Sequence, residues 1–85
     1  MDKRKNNMKL NELKKGERGK IIRIDADKAL RDRLNSFGIV RGERITVKEH
    51  SLAKQTIEIE IGATLVVLRA IEAEKIDINK QGDIE

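Results

Sequence analysis

The stretch Asp27–Gly42, DKALRDRLNSFGIVRG, decides the fold, because it predicts a short helix followed by a turn into a strand. Asp27 is a typical N-cap residue, since its carboxylate can accept the free amide hydrogens of the first helical turn. Leu30, Leu34 and Phe37 recur at i, i+4 and i+7, which predicts one apolar stripe facing the core. A helix this short is not stable alone in water, so its stripe must pack against a sheet.

The end of this helix is predicted by glycine. Gly38 stands where a left-handed residue closes a helix, and Ile39 is then placed to contact Leu34, the apolar contact of a Schellman cap. Arg41 and Gly42 predict a second sharp turn before the next strand. The helix and its two turns therefore fix the direction in which the following chain enters the sheet.

Short strands separated by turns account for most of the remaining chain. Leu10 and Leu13 predict an apolar turn before the first strand, His50–Gln55 reads as a loop, and Ile71–Glu74 predicts one helical turn. Ile22 and Ile24 share one face of the first strand by period-two alternation. The predicted strands are Lys20–Asp25, Arg44–Glu49, Thr56–Ile61, Thr64–Arg69 and Lys75–Asn79. About five strands with one short helix favour a mainly β fold, closed as a small, strongly bent barrel without free sheet edges.

The most informative pair of strands surrounds Gly62-Ala63, which fits a two-residue hairpin turn of type II′. This turn places Ile59 opposite Val66, so one face of the hairpin is apolar and must belong to the core. The other face places the aliphatic side chains of Leu65 and Val67 among glutamates. Two alternatives remain open for that pair: it is covered by a neighbouring strand or simply exposed, or it is a partner-binding or dimerisation patch.

Composition bounds the function. The chain of 85 residues carries a formal net charge of +4, has no cysteine, and holds one aromatic residue, Phe37, which we assign to the core. Residues 1–23 carry a net charge of +6 and the remainder −2, so the basicity belongs to the N-terminal third. Nucleic-acid stacking platforms and proline-rich-peptide grooves both require exposed aromatic residues. We therefore expect no nucleic acid partner.

We expect a disordered basic tail at residues 1–8, one domain at 9–80 and a frayed end at 81–85.

In its order of elements the chain resembles the FeoA family of ferrous iron transport proteins, over about residues 10–78. The opening resembles the family's L-x-x-L-x-x-G-x-x-G pattern, and the helix ending Phe37-Gly38-Ile39 resembles its L-G-L ending. Arg41 and Leu65 depart from the family, which usually has proline and often a polar residue there. The other residues that carry the resemblance are Leu10, Leu13–Gly19, Leu30, Leu34, Gly42, Ile57–Ile59, Leu68, Arg69, Glu72, Ala73 and Ile76.

The resemblance implies an SH3-like barrel and a small cytoplasmic accessory of ferrous iron uptake. Such a protein would act by contact with the membrane ferrous iron transporter, whose cytosolic part is a GTPase domain. The label of transition metal ion binding comes to the chain through this family association only. We expect the contact surface to combine the helix-and-turn region with the hairpin: Arg31, Arg41, Arg44, Leu65 and Val67.

Other chemistry finds little support in the residues. His50 is the only histidine and reads as a solvated loop residue, although a weak site with Glu49 or a hairpin carboxylate is an alternative. No nucleophile motif or phosphate-binding glycine loop is present, so we expect no enzyme activity and no cofactor. Two further alternatives remain. The basic tail would bring the chain near an anionic membrane surface, or the N-terminal third would bind RNA or the ribosome. A homo-oligomer is also compatible with the sequence.

Overall fold

The computed structural model describes residues 7–80, which form one bent antiparallel sheet with two short helices. The six strands lie in the order β1-β6-β2-β3-β4-β5. No helix among these residues has the length and apolar content needed to cross a membrane. The strands are β1 (Asn7–Lys9), β2 (Arg18–Ile24), β3 (Arg44–His50), β4 (Thr56–Ile61), β5 (Thr64–Arg69) and β6 (Ile76–Lys80), and the helices are α1 (Lys28–Ser36) and α2 (Ala70–Ala73).

The end of α1 has the predicted glycine cap. The Leu30 amide donates to the Asp27 carboxylate over 2.9 Å, which confirms the N-cap. At the other end the Gly38 amide donates to the Asn35 carbonyl and the Ile39 amide to the Leu34 carbonyl. These two bonds define a Schellman motif, and Gly38 has the left-handed φ of 88° that the motif requires.

The hairpin β4–β5 has the predicted register, with Ile59 opposite Val66 and Glu60 opposite Leu65. Its inward side chains join a single aliphatic cluster with those of the other strands, α1 and α2, so the sheet curves around one core as a small barrel. The predicted apolar turn is a 3₁₀ turn at Leu10–Glu12, and the side chains of Leu10 and Leu13 are fully buried.

Several predictions of local structure are wrong. Asn7 and Met8 are not disordered, because they pair with β6 as part of β1 and raise the strand count to six. The rest of the predicted tail and residues 81–85 lie outside the described residues. Phe37 is not a core residue: it follows the last turn of α1 and is 37% exposed.

The predicted alternation along β2 is interrupted by a β-bulge. The register against β6 shifts between Ile21 and Arg23, so Ile21 is fully buried while Ile22 is only half-buried. The barrel is also not closed by hydrogen bonds among the described residues, because β1 and β5 form the two edges of the sheet. The expectation that closure removes the sheet edges is therefore wrong among the described residues.

Candidate functional site

Two exposed surfaces are candidates for binding a partner, one because of its aliphatic side chains and the other because of its arginines. The first, the β5 edge, comprises residues 65–67, of which Leu65 and Val67 have outward side chains and Val66 is buried. The second, the basic groove, is a cavity of about 410 Å³ lined by Arg23, Ile24, Arg31, Asn35, Val40 and Arg41. The strands β3 and β4 separate β2 from β5 in the sheet, so the two surfaces are distinct.

Leu65 and Val67 project from the outer face of β5 and are exposed by 57% and 58% of their surface. This outcome excludes the alternative in which a neighbouring described strand covers them. Glu60 and Glu58 lie opposite them on β4, and the Glu60 carboxylate lies 3.7 Å from the Lys48 ammonium. The β5 edge is therefore an aliphatic pair bordered by carboxylates on one side.

The basic groove exists because the turn after α1 is fastened to β2. The Gly42 amide donates to the Ile21 carbonyl over 2.8 Å, and the Ile21 amide donates to the Glu43 carbonyl over 2.9 Å. Gly42 takes a φ of 97° to make this turn, as expected from its position before the strand. These bonds hold the turn residues Val40 and Arg41 beside the end of β2, with α1 forming the other wall.

The predicted arginines divide between the surfaces. Arg31 and Arg41 line the basic groove, whereas Arg44 lies at the start of β3 and does not. Arg44 alternates with the buried Ile45 and so projects from the same outer sheet face as Leu65. Sequence reasoning missed Arg23, because it lies on a different element and only the fold brings it to Arg31. Its exposed position on a strand was the one available signal.

The other side of α1 is held to α2 by an ion pair between Arg33 and Glu72. The Arg33 guanidinium also lies 5.8 Å from the centroid of the Phe37 ring and covers one of its faces. Burial alone would raise the pKa of Glu72, but the Arg69 amide and Arg33 together hold this pKa below its ordinary value. This cluster fixes α1 in the fold and leaves its Arg31 side for the groove.

His50 is not a solvated loop residue. It is the last residue of β3, is partly buried, and its Nε2 lies 2.7 Å from the Leu13 carbonyl oxygen, which requires that nitrogen to donate a proton. Among residues 7–80 no group of three or more His, Cys, Asp or Glu side chains is positioned to hold a metal ion. Its hydrogen bond therefore gives His50 a role in fastening the 3₁₀ turn to the sheet.

Comparison with known proteins identifies the family. The FeoA domain model matches residues 8–80. A relative from Campylobacter jejuni, named Fe(2+) transport protein A, is 39% identical over 72 residues, which are 85% of this chain and 97% of that protein. Another of the same name from Helicobacter pylori is 38% identical over 74 residues, covering 86% of this chain and 95% of that protein.

A solved structure supports the same assignment. The solution structure of the FeoA protein from Chlorobium tepidum superposes with a TM-score of 0.84 at 35% identity, covering 92% of this chain and 74% of that one. The predicted SH3-like barrel is thereby confirmed. With the family model spanning nearly all of the described residues, these similarities show that the chain belongs to the FeoA family.

Proposed function

We propose that the chain is a cytoplasmic accessory of ferrous iron uptake that acts by contact with the cytosolic GTPase domain of a membrane ferrous iron transporter. Membership of the FeoA family supports the pathway, and the names of the relatives connect that family with Fe(2+) transport. The observation that carries the mode of action is the β5 edge, where exposed aliphatic side chains coincide with unpaired backbone groups.

The hairpin turn determines which backbone groups are unpaired. In a two-residue hairpin the residues flanking the turn form a hydrogen-bonded pair, and such pairs alternate along the ladder. The backbone groups of Thr64, Val66 and Leu68 therefore face β4, while those of Leu65 and Val67 point away from the sheet. The next outward amide, that of Arg69, already donates to the Glu72 carboxylate over 3.0 Å. The free edge is thus limited to residues 65–67.

An edge of this kind suits the addition of a strand from a partner. The amide and carbonyl groups of Leu65 and Val67 supply main-chain hydrogen bonds, and their side chains supply apolar contact on one face. Native proteins usually protect exposed edges with charge, proline or a covering loop, and β5 carries none of these at its two outward positions. Its short length limits such pairing to a transient contact.

Replacement of Leu65 by lysine tests the proposal. Leu65→Lys should weaken capture of the transporter's purified GTPase domain by roughly thirtyfold, because burial of a leucine side chain contributes about 2 kcal/mol. The measurement is the dissociation constant from a binding titration with each variant. Leu52→Lys is the matched control, since Leu52 is fully exposed in the β3–β4 loop and is not part of the β5 edge. Equal affinity of Leu65→Lys and Leu52→Lys would remove the β5 edge from the proposed contact.

A further inference from the structure

The basic groove contains three arginines that have no carboxylate partner among residues 7–80. Arg23, Arg31 and Arg41 come from β2, α1 and the following turn, and within residues 7–80 none of them forms an ion pair. The same helix pairs its other cations, since Lys28 binds Asp32 over 2.8 Å and Arg33 binds Glu72. Unpaired cations are thus concentrated on the side of α1 that faces the groove.

Two carboxylates lie close to the groove: Asp25, which follows the lining residue Ile24, and Asp77 on β6, which is already engaged. Asp77 is opposite Arg23 in the β2–β6 ladder, and its Oδ1 accepts a hydrogen bond from the Lys9 ammonium over 2.7 Å. This bond raises the pKa of Lys9, because the Asp77 carboxylate stabilises the charged ammonium. The three arginines and Lys9 outnumber these two carboxylates, so the local field at the groove remains positive.

Arg31 is held in place before any ligand arrives. Its Nη2 donates to the Ala26 carbonyl over 3.0 Å and lies 3.4 Å from the Ile24 carbonyl. These carbonyls occupy one corner of the guanidinium and leave its remaining donors available. Because a guanidinium offers five N–H groups in a rigid fork, one that is already oriented loses less entropy on binding an anion.

The groove is not purely polar. Ile24 and Val40 are half-buried in its lining, and the Asn35 amide lies one helical turn after Arg31. A cavity with aliphatic lining and cationic rims accommodates an apolar side chain flanked by acidic ones. A phosphate polymer would leave the aliphatic lining unused, and the single aromatic ring of the chain is not in the groove.

We propose that the basic groove binds an acidic segment of a protein partner, with carboxylates on Arg23, Arg31 and Arg41 and an aliphatic side chain on Ile24 and Val40. Guanidinium–carboxylate pairs are the charge-assisted contacts that this geometry favours. The site is a second contact surface of the protein. It does not rest on the function proposed for the β5 edge, and failure of one leaves the other intact.

The probe is a fluorescein-labelled peptide of alternating glutamate and leucine, titrated with the full chain at low and at high salt. Fluorescence anisotropy gives its dissociation constant, and ¹H–¹⁵N correlation spectra map the amides that it perturbs. We expect the largest shifts at residues 23–24, 31, 35 and 40–41, and weaker binding at high salt. Inorganic phosphate and single-stranded polyuridylate RNA are titrated in parallel.

Two double variants distinguish an effect of the groove on peptide binding from an effect of the net charge of the protein. Arg31→Gln/Arg41→Gln should weaken peptide binding about tenfold or more, because each lost pair removes a charged hydrogen bond. Arg18→Gln/Lys54→Gln removes the same charge at exposed positions outside the groove and should change binding little. Arg41→Gln alone is a variant that should fold normally, since the Arg41 side chain forms no hydrogen bond or ion pair with another described residue. It should still weaken peptide binding several-fold.

Three results would overturn the proposal. The first is absence of peptide binding by the folded chain. The second is an equal loss of affinity in the two double variants, which would mean nonspecific attraction. The third is tighter binding of phosphate or polyuridylate than of the peptide, with shifts in the same groove, which would assign the groove to phosphate instead.

Discussion

Gly19 lies where a side chain would collide with the neighbouring strand β6. A Cβ built on Gly19 would lie 2.1 Å from Cγ2 of Ile78 and 3.1 Å from the Asn79 carbonyl oxygen. Gly19 therefore allows β2 and β6 to approach each other over the buried Ile78. The glycine is needed here for space and not for an unusual backbone conformation, because its φ does not lie in the left-handed region.

We expect Gly19→Ala to destabilise the fold by about 1–3 kcal/mol, because overpacking forces the neighbouring side chain or backbone to move. The measurement is the free energy of unfolding from urea denaturation. Ile78→Ala removes Cγ2, so the double variant should be destabilised by less than the sum of the two single changes. Strict additivity would mean that the contact with Ile78 is not the cause.

Phe37 and Arg23 show where sequence reasoning stops at the residue scale. Phe37 satisfies the spacing of the apolar stripe, but it is the C-cap of α1, where the chain turns away from the helix axis. The helical period places a residue on the core-facing stripe only while the helix continues. Phe37, at i+7 from Leu30, lies just beyond the end of α1 and so does not face the core. Arg23 enters the basic groove through the β-bulge and the packing of α1, and neither contact is local in sequence.

At the scale of the element, the Schellman cap of α1 depends on Gly38. No described atom lies within 4 Å of a Cβ built on Gly38, so a substitution there would encounter only the strain of its φ of 88°. We expect Gly38→Ala to lower the free energy of unfolding by about 1 kcal/mol, whereas Gly38→Asn should lower it less, because asparagine tolerates the left-handed region. Chemical denaturation of both variants checks this order, and equal losses would contradict it.

The elements differ in how far the sequence determines them. The β4–β5 hairpin was predicted to the residue, because a two-residue turn and strict alternation leave one register. The strand β1 was missed, because three mostly polar residues carry no pattern of their own and become a strand only by pairing with β6. The sequence does not determine whether Leu65 and Val67 are exposed, because their exposure depends on whether another strand covers β5.

At the scale of the whole molecule, two glutamates connect distant parts of the chain and make stability depend on pH. The Lys14 amide and the Lys80 ammonium lower the pKa of Glu17, and Glu72 is lowered by the Arg69 amide and Arg33 despite its burial. Because both pKa values lie below the ordinary 4.5, these groups stabilise the fold above about pH 4.5. This stabilisation is lost as the pH falls through the lowered values.

The expected result is a melting temperature that falls on acidification below about pH 4.5. Glu17→Gln and Glu72→Gln should each flatten that fall, because an amide side chain does not titrate in this range. Glu74→Gln is the control, since the Glu74 carboxylate is exposed and bonds to no described residue. Melting curves followed by circular dichroism across the acid range provide the measurement, and parallel acid limbs for all four proteins would contradict the assignment.

The position of β6 has a consequence for how the polypeptide folds during synthesis. Although β6 is the last described strand to leave the ribosome, it lies between β1 and β2, which emerge first. The meander β3–β4–β5 can form early from neighbouring segments, whereas β1 has no sheet partner until β6 appears. The 3₁₀ turn at Leu10–Glu12 therefore lacks its contacts with α2 and β6 until those elements have emerged from the ribosome, and exposed apolar side chains make the chain prone to aggregation in that interval.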